Sequence, residues 1–519
     1  MSDFNLIPQK VSTMKILTNK LFLVLALAGM LPGCADLEEK PVGLLAPEAL
    51  FRTTKDVETA IFGAYGWIAS ERLYGRQFVS ALMLRSDMAD IGDRGTPAER
   101  QQVNDFNMDD NNNMVNQFWP QWYQVISASN AAIAGAEQLG LGEAEINPLM
   151  AEARFIRAFS YFHLVQVFGD VPYIDFFIDD PESVKTISKT PAATVYTKII
   201  EDLEFAKQWL PEKQPSEVRS RASKGSAASY LASVYLTLAD YQKAYTEAKY
   251  VIDNKDKFGY ALEADFQTLF RAPQPNNMKE HIFDVDFLGL QSGAGGANDD
   301  IMAPMTGVRG GDAPRSGWSV IVPSMKVFET WDARDYRKEV SFDDSLLVGG
   351  KLVPYTEFQN TKRPHIAKYA RYAGNSSSEG RYSDHNYAAM RYAEILLIAA
   401  EASVEISGSN PEAISYINQI RARARNWAGK QTTFPEDVKA GLNKTDMINL
   451  ILEERRLELA FEYKRWYDIK RRNLGEAVFR SANSLEPHPT FDPLRDYLMP
   501  LPRVELQVNP NLGPQNPGY

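Results

Sequence analysis

The chain has 519 residues, ample for a large hydrophobic core, and 67 acidic against 56 basic residues give it a formal net charge of −11. Acidic and basic residues are interleaved along the chain, which argues against nucleic acid as a partner. The single cysteine excludes an internal disulfide, so an exported domain must be stable through its core alone.

The N-terminal segment has the pattern of an export signal. Lys15 and Lys20 precede an uninterrupted apolar run over residues 21–31. That run is too short to span a membrane and has the length of a signal-peptide core. Because the basic segment begins naturally at Met14, we expect the true start there and a signal peptide that ends at residue 33.

The cysteine follows this run directly, in the sequence Leu31-Pro32-Gly33-Cys34. Leu-x-Gly-Cys resembles the lipobox of bacterial lipoproteins, in which the cysteine is acylated and becomes the first mature residue. The alternative is a stray cysteine after a secretory signal. We expect lipidation of Cys34, and therefore a mature protein that is tethered to a membrane surface and not embedded in it.

A polar region over residues 71–116 contains a pattern similar to the start of a calcium loop. Its alternating oxygen-bearing residues are Asp105, Asn107 and Asp109. A calcium loop also requires glycine at its sixth position and glutamate at its last, where this chain has Asp110 and Asn116. We therefore expect no metal site there.

Most of the regular structure is predicted to be helical and repetitive. The clearest stretch, residues 223–254, predicts two helices joined by a tight turn at Ala239 and Asp240, with Ser223 as the N-cap of the first. Its small and aromatic residues follow the order of a tetratricopeptide repeat, and one such hairpin cannot bury both of its faces. Repetition favours a helical-repeat scaffold over an ordinary helical core. The other predicted helices are Thr54–Ser70, Asn116–Gln138, Asn147–Phe168, Thr190–Leu210, Arg391–Ile406 and Asn410–Arg425.

The region between these helices is irregular. Alternating apolar residues from Phe283 to Phe287 predict one short strand. Gly289–Gly317 is so rich in Gly, Asn and Asp that it predicts a long exposed loop, and such loops often carry function. At its edge, Trp318 is either packed under the loop or exposed as a stacking platform for a flat ligand face.

These patterns predict one domain over residues 34–519 of mainly α class. A tetratricopeptide-like helical-repeat body is expected mainly over 47–254 and 390–472. An irregular, loop-rich inserted lobe with a few short strands is expected over 255–389.

A last long helix is predicted from Thr445 to Arg472, with apolar residues on one face. Its charges are expected to neutralise one another along the helix at spacings of three and four residues. The predicted pairs are Glu453 with Arg456, Glu462 with Arg465, and Asp468 with Arg472. The charge run therefore requires no external partner.

The sequence gives little support for catalysis. No phosphate-binding, dinucleotide, zinc-protease or nucleophile-elbow motif is present. None of the five histidines forms a pair spaced for a metal, and His163 is expected to be a packed, hydrogen-bonded side chain. Two carboxylates suited to glycoside hydrolysis are neither indicated nor excluded by the sequence. We expect a protein that is not an enzyme and that carries no metal or cofactor.

Several stretches, taken in order, resemble the SusD/RagB-type outer-membrane lipoproteins of Bacteroidetes-like bacteria. After the lipobox at Cys34 these are ARFIRAFSYFHLVQVFGDVPYI at 153–174, KGSAASYLASVYLTLADYQKA at 224–244, MRYAEILLIAAEA at 390–402, ILEERRLELAFEYKRWYDIKR at 451–471, and LMPLPRVELQVNPNLGPQNPGY at the end. The resemblance covers essentially the whole mature chain.

The resemblance implies four tetratricopeptide-like helix pairs that rest on a SusC-like, TonB-dependent barrel transporter, with a glycan-binding surface on another lobe. It implies a cell-surface protein that captures oligosaccharide and delivers it to the barrel without cleaving it. The alternatives are a peptide- or protein-binding lipoprotein of the same architecture and, less favoured, a surface glycosidase.

The binding residues of this family lie in no fixed motif, so only their approximate locations carry over. The region Asp87–Trp119 and the loop near Trp318 are similar in location to the places where relatives hold sugar. We expect Trp318 and Trp119 to stack on sugar rings and Asp87 and Arg94 to bind hydroxyls. The alternative for Asp87 and Arg94 is a surface ion pair or a loop cap.

Overall fold

The computed structural model describes residues 50–291, 298–310 and 316–519, which belong to one compact unit. The predicted signal peptide, its start at Met14 and the predicted lipidation site Cys34 lie outside these residues. Among the residues described, no helix is both long and apolar enough to cross a lipid bilayer. The predicted division into a helical body and an inserted lobe stays a prediction.

Helices dominate the described chain. Those of its first half are α1 (Thr54–Ile68), α2 (Gln77–Leu84), α3 (Ala98–Asn104), α4 (Asn113–Gln138), α5 (Glu143–Phe168), α6 (Ala192–Trp209), α7 (Lys224–Thr237), α8 (Tyr241–Asp253) and α9 (Lys255–Phe258). Those of its second half are α10 (Met302–Thr306), α11 (Met325–Thr330), α12 (Tyr336–Ser341), α13 (Ala367–Ala370), α14 (Tyr392–Ser407), α15 (Pro411–Ala424), α16 (Lys444–Glu458), α17 (Arg465–Arg471), α18 (Gly475–Phe479) and α19 (Arg503–Val508).

The long helices pack in an unbroken succession. Helix α1 packs on α4, α4 on α5, α5 on α6, α6 on α7, and α7 on α8. Helix α8 then packs on α14, although nearly 140 residues separate them, and α14 packs on α15 and α16. Since each helix buries one side against the preceding helix and one against the next, the predicted helical-repeat scaffold is confirmed.

The hairpin of α7 and α8 forms for the local reasons that its sequence indicates. Ser223 accepts a hydrogen bond from the Ser226 backbone N–H and completes a capping box. Ala239 takes a positive φ of 57° at the turn, and Asp240 caps α8. Leu238, the C-cap residue that follows α7, is 42% exposed.

Ten short strands form five two-stranded antiparallel sheets in the described residues. The pairs are β1 (Ala89–Ile91) with β3 (Ile321–Pro323), β2 (His281–Val285) with β8 (Tyr387–Arg391), β4 (Phe342–Asp343) with β7 (His365–Ile366), β5 (Ser345–Val348) with β6 (Lys351–Pro354), and β9 (Asn426–Trp427) with β10 (Lys430–Gln431). Strand β2 confirms the strand that was predicted around Phe283. The pairing of β1 with β3 brings the polar region after α2 beside the segment that follows Trp318.

The single helix predicted from Thr445 to Arg472 is wrong. Helix α16 ends at Glu458 and α17 begins at Arg465, and between them Phe461 and Tyr463 take positive φ values of 62° and 50°. The break is held by tertiary contacts: the hydroxyl of Tyr369 donates to the carbonyl oxygen of Phe461 at 2.7 Å.

Two of the three predicted ion pairs on this segment are also wrong. Glu453 does pair with Arg456. Because the helix breaks, Glu462 instead pairs with Arg391 at 2.8 Å. The remaining three charges likewise bind residues outside their predicted pairs: Arg465 pairs with Asp87, Asp468 with Arg455 and Arg471, and Arg472 with Glu405.

Glu458, at the break between α16 and α17, lies in a buried cluster of charges. Its carboxylate contacts Arg391 at 2.6 Å, Arg337 at 3.3 Å, and Arg423. Burial alone would raise the pKa of Glu458, but the surrounding guanidinium groups outweigh burial and lower it. Further carboxylates complete the cluster, namely Asp335, Glu280, Glu454 and Glu462.

His163 is packed and hydrogen-bonded, as predicted. Its ring lies between the hydroxyls of Tyr74, at 3.0 Å, and Tyr467, at 2.8 Å, and is stacked on Trp122. Burial lowers its pKa well below the usual value, so the imidazole is neutral at physiological pH.

Candidate functional site

The loop that carries Trp318 is held rigidly by backbone contacts. Trp318 donates its N–H to the carbonyl of Pro304 at 2.7 Å, and Gly317 donates to Val308 at 2.7 Å. A Cβ on Gly317 would lie 2.3 Å from the carbonyl carbon of Gly307, so only glycine permits this approach of the two backbones. The half-buried indole is therefore presented at a well-determined position.

Ser319 fixes the other side of the loop. It has a positive φ of 50°, and its Oγ lies 2.7 Å from Nε2 of His365 and accepts the N–H of Arg309 at 2.8 Å. Burial lowers the pKa of His365 to about 4, so this contact is made by a neutral ring. The Ser319 carbonyl accepts the N–H of Asp93 at 2.8 Å, which joins the Trp318 loop to the loop that carries Arg94.

An arginine and a tyrosine lie beside the indole. The guanidinium carbon of Arg381 is 5.8 Å from the ring centre of Trp318 and 5.2 Å from that of Tyr382. The backbone N–H of Tyr382 donates to the carbonyl of Asp300 at 2.7 Å, so this loop rests just before α10, whereas the Trp318 loop rests on α10 itself. Two half-buried rings that flank a cation offer flat apolar faces together with hydrogen-bond donors.

Two further arginines extend this patch. Arg76 forms an ion pair with Glu71, and the charge of Arg381 contributes, after burial, to the lowering of its pKa. Arg100 is 7% exposed and donates to the hydroxyl of Thr96 at 2.9 Å. We call Trp318, Tyr382, Arg76, Arg100 and Arg381 the aromatic–arginine patch.

A cavity of about 230 Å³ opens beside the patch. Gly317 and Gly380, the residues that precede Trp318 and Arg381, contribute to its wall. Arg371 and Asp343 also line it and pair with each other at 2.8 Å. Burial raises the pKa of Asp343 although Arg371 opposes the shift. The cavity adds depth and fixed polar groups next to the two half-buried rings.

Of the residues predicted to bind a ligand, the structure brings Trp318 and Arg94 to neighbouring loops. The Arg94 side chain is 53% exposed and forms an ion pair with Asp105 at 2.8 Å. It lies 3.5 Å from Asp90 as well. Arg94 is thus both accessible and engaged in the surface ion pair that was its alternative role.

The structure places Asp87 away from the surface. It is 1% exposed, and both of its carboxylate oxygens accept hydrogen bonds from Arg465, at 2.8 and 2.7 Å. Burial alone would raise the pKa of Asp87, but the ion pair with Arg465 lowers it. A carboxylate with both oxygens bound to Arg465 inside the core has none to offer a sugar hydroxyl, which argues against the predicted binding role and favours a structural one.

Trp119 is also buried, at 3% exposed. Its ring packs edge-on against Phe168, with 4.7 Å between ring centres, and lines a separate apolar cavity of about 250 Å³ near α19. Since a sugar can stack only on an exposed ring face, this burial argues against the expected stacking role.

The sequence interpretation missed Tyr382 and Arg381. They follow a polar stretch, NSSSEG at 375–380, that has no helical or strand pattern. An aromatic residue directly after an arginine in such a stretch was the available signal. Arg76 and Arg100 carried no such signal, because each begins or lies within a short helix whose sequence looks ordinary.

The helices pack in chain order, and the aromatic–arginine patch is carried by loops. Together these features define a helical-repeat protein with an irregular lobe. Residues 349–519 match the model of the SusD family, and residues 48–236 match a family described as starch-binding and associating with the outer membrane. SusD-like protein P2 of Formosa agariphila is 51% identical over 507 residues, which is 96% of this chain and 99% of the relative. The chain therefore belongs to the SusD family.

Solved structures agree with this assignment. A laminarin-binding SusD-like protein is 25% identical, with a TM-score of 0.73 over 90% of this chain and 99% of that one. Surface glycan-binding protein A from Bacteroides thetaiotaomicron, in complex with laminarihexaose, is 20% identical, with a TM-score of 0.74 over 89% and 99%. At that identity the second likeness shows the fold alone. The predicted family and fold class are confirmed.

Proposed function

We propose that this protein is a non-catalytic lipoprotein of the outer membrane that captures oligosaccharide on the aromatic–arginine patch and delivers it to a SusC-like, TonB-dependent transporter. The observation that carries the proposal is the half-buried Trp318 ring on a rigid loop, with Arg381 and Tyr382 beside it. Relatives whose names state starch or laminarin binding support glycan as the ligand class.

The chemistry of the patch suits a sugar. The C–H face of a pyranose ring is apolar and stacks on an indole, whereas its hydroxyls need donors and acceptors in fixed directions. Trp318 supplies the ring, and the guanidinium of Arg381 supplies donors at its edge. Arg94 is an exposed donor on the neighbouring loop. It would contact a longer glycan chain if its ion pair with Asp105 opened. Trp119 and Asp87 are outside the proposed site.

The binding test is a titration of a soluble form that starts at Asp36 against a panel of neutral and charged polysaccharides, with peptides as the competing class. Trp318→Ala is expected to weaken binding about 10-fold or more, because a ring contact of about 1.5 kcal/mol is removed. Trp209→Ala is the matched control, since Trp209 is a half-buried tryptophan at the end of α6. Equal affinity in parent and Trp318→Ala would refute the site, and binding to peptides alone would refute the ligand class.

Capture without cleavage is tested in the same samples. Reducing ends are measured over many hours at saturating glycan, and no increase above the glycan alone is expected. If the parent protein steadily releases reducing ends, and this release persists after further purification, the protein would instead be a glycosidase.

Anchoring and delivery are tested in cells. Cys34→Ser is expected to move the protein from the membrane fraction to the soluble fraction, because the acylated sulfur is lost. A tagged parent protein is expected to co-purify with a TonB-dependent barrel from solubilised outer membranes. Membrane retention of Cys34→Ser would contradict the lipid anchor, and a barrel-free eluate would contradict the transporter complex.

A further inference from the structure

Buried arginines in this chain generally have strong acceptors. Arg391 and Arg157, for example, each pair with buried carboxylates at 2.8 Å. Arg219 has no carboxylate partner in the part of the chain that the structure describes, but it donates to three backbone carbonyls at distances from 2.9 to 3.1 Å. This pattern follows from the large free-energy cost of a buried charge without a partner.

Arg100 departs from that pattern. It is 7% exposed, yet its one hydrogen-bond acceptor in the described residues is the neutral hydroxyl of Thr96, and its buried Nε has no acceptor. Burial and then the charge of Arg76 lower the pKa of the Arg100 guanidinium to about 10, so it remains a cation at neutral pH. A buried cation held this way lacks an anion that would neutralise it.

Arg381 shares this lack of a carboxylate. Within the described residues the Nε atoms of Arg76 and Arg381 are also buried without an acceptor, but so is that of the paired Arg423, so the missing carboxylate is the distinguishing feature. Arg381 has aromatic neighbours but, within the ranges the structure describes, no carboxylate within ion-pair distance. Glu71 pairs with Arg76, and Glu71 and Glu99 act on Arg100 only at longer range.

The neighbouring surface does not share this excess of positive charge. Arg309 is paired with Asp93, and Arg94 with Asp105. Unpaired positive charge therefore falls on Arg381, beside Trp318, and on Arg100, and Arg76 interacts electrostatically with both. A sugar ring stacked on the indole would hold its substituents near the Arg381 guanidinium.

We infer that the glycan is anionic, and that Arg381 and Arg100 bind a sulfate ester or a uronate carboxylate carried by the sugar that stacks on Trp318. The inference rests on the proposed function and adds the charge of the substrate. A planar guanidinium binds either group through paired N–H donors, which is why the two anions share one site chemistry.

The experiment uses oligosaccharides in matched pairs: a sulfated glycan with its desulfated form, and a uronate-containing glycan with its carboxyl-reduced form. For one pair, removal of the anion is expected to weaken binding at least about 10-fold, and the affinity for the charged member is expected to fall as salt rises. The pair that responds identifies the anion.

Arg381→Gln and Arg100→Gln are expected to remove most of that preference while the weaker affinity for the neutral member is kept. Arg480→Gln is the matched control, because Arg480 is an exposed arginine, paired with Glu476, on α18. Arg100→Gln should leave the thermal midpoint unchanged or raise it, since it removes an uncompensated buried charge. Because Arg381 is half-exposed, Arg381→Gln should leave the fold intact. It therefore gives a second test of the preference for the charged glycan.

Equal affinity for charged and neutral members of both pairs would overturn the inference and leave the capture of glycan intact. An Arg381→Gln variant that keeps the full preference for the charged glycan would also overturn the inference. The same holds for an Arg100→Gln variant that unfolds at a much lower temperature than the parent. Failure to bind any glycan, charged or neutral, would refute the proposed function itself.

Discussion

Glu458→Gln should be among the most destabilising single substitutions in the helical body. It removes the negative charge that faces Arg391, Arg337 and Arg423, all almost completely buried, and keeps the shape of the side chain. Lys368, paired with Glu462, and Arg421, paired with Glu454, bring the cluster to five cations and five carboxylates, so the substitution leaves one cation uncompensated. Loss of one partner from a buried ion pair costs about 3–5 kcal/mol of the free energy of unfolding.

The assay is equilibrium unfolding in urea at pH 7, with Glu453→Gln as the matched control. Glu453 is on the same helix, α16, and pairs with Arg456, but its side chain is 52% exposed. Exposed pairs contribute about 0–1 kcal/mol, so the two variants should differ by about 3 kcal/mol or more.

The pH dependence supplies a second readout. The folded state lowers the pKa of Glu458 below its ordinary value of 4.5. Its contribution to stability is therefore complete above pH 4.5 and is lost as the pH falls below that value, because the unfolded chain takes up the proton first. The difference between parent and variant should shrink in acid.

If Glu458→Gln were as stable as Glu453→Gln at pH 7, the charge cluster would not be what holds the break between α16 and α17. A stability difference between parent and Glu458→Gln that grows below pH 4.5 would contradict the sign of the pKa shift.

Three further predictions concern the site and its supports. Asp300→Asn should raise the thermal midpoint more at pH 8 than at pH 5. Burial raises the pKa of Asp300 from 3.8 to about 7, so the stability cost of this carboxyl grows as the pH rises from 3.8 and is complete only above about 7. Equal shifts at both pH values would contradict this. Gly317→Ala should weaken glycan binding in titrations, because its Cβ would push the Trp318 loop away from Gly307, whereas Gly63→Ala, with open space around its Cβ, should not. Asp87→Asn should lower the urea midpoint, because it removes the buried ion pair with Arg465. The folded fraction of this variant should bind glycan as the parent does, and weaker binding would support the predicted ligand role of Asp87.

The elements that could be predicted from the sequence are those that depend on interactions between residues close together in the chain. Ser223 and Ser226 cap α7 through contacts three residues apart, and Asn410 with Pro411 begins α15 in the same way. The repetition of small and aromatic residues predicted the scaffold, because helices that pack on both sides need close approach along the whole chain. Trp318 was recognised because it borders a glycine-rich loop, although the sequence left open whether its ring is packed or exposed.

What the sequence could not decide depends on contacts between distant residues. The distance along the chain from Asp87 to Arg465 is 378 residues, so the ion pair that buries Asp87 leaves no local pattern. Both Trp119 and Trp318 were expected to stack on sugar rings, and tertiary packing, such as that of Phe168 against Trp119, decides that the first ring is buried and the second half-exposed.

The break after Glu458 shows the same limit. Propensity and spacing favour a continuous helix through Arg472, but contacts to Arg391 and Tyr369 compensate for the lost turn and the two positive φ values. The sequence alone therefore determined the helical repeat, its caps and the family resemblance, which follow from short-range patterns. The tertiary structure alone decided which charges are paired and which rings reach the surface, because both depend on what the folded chain places next to them.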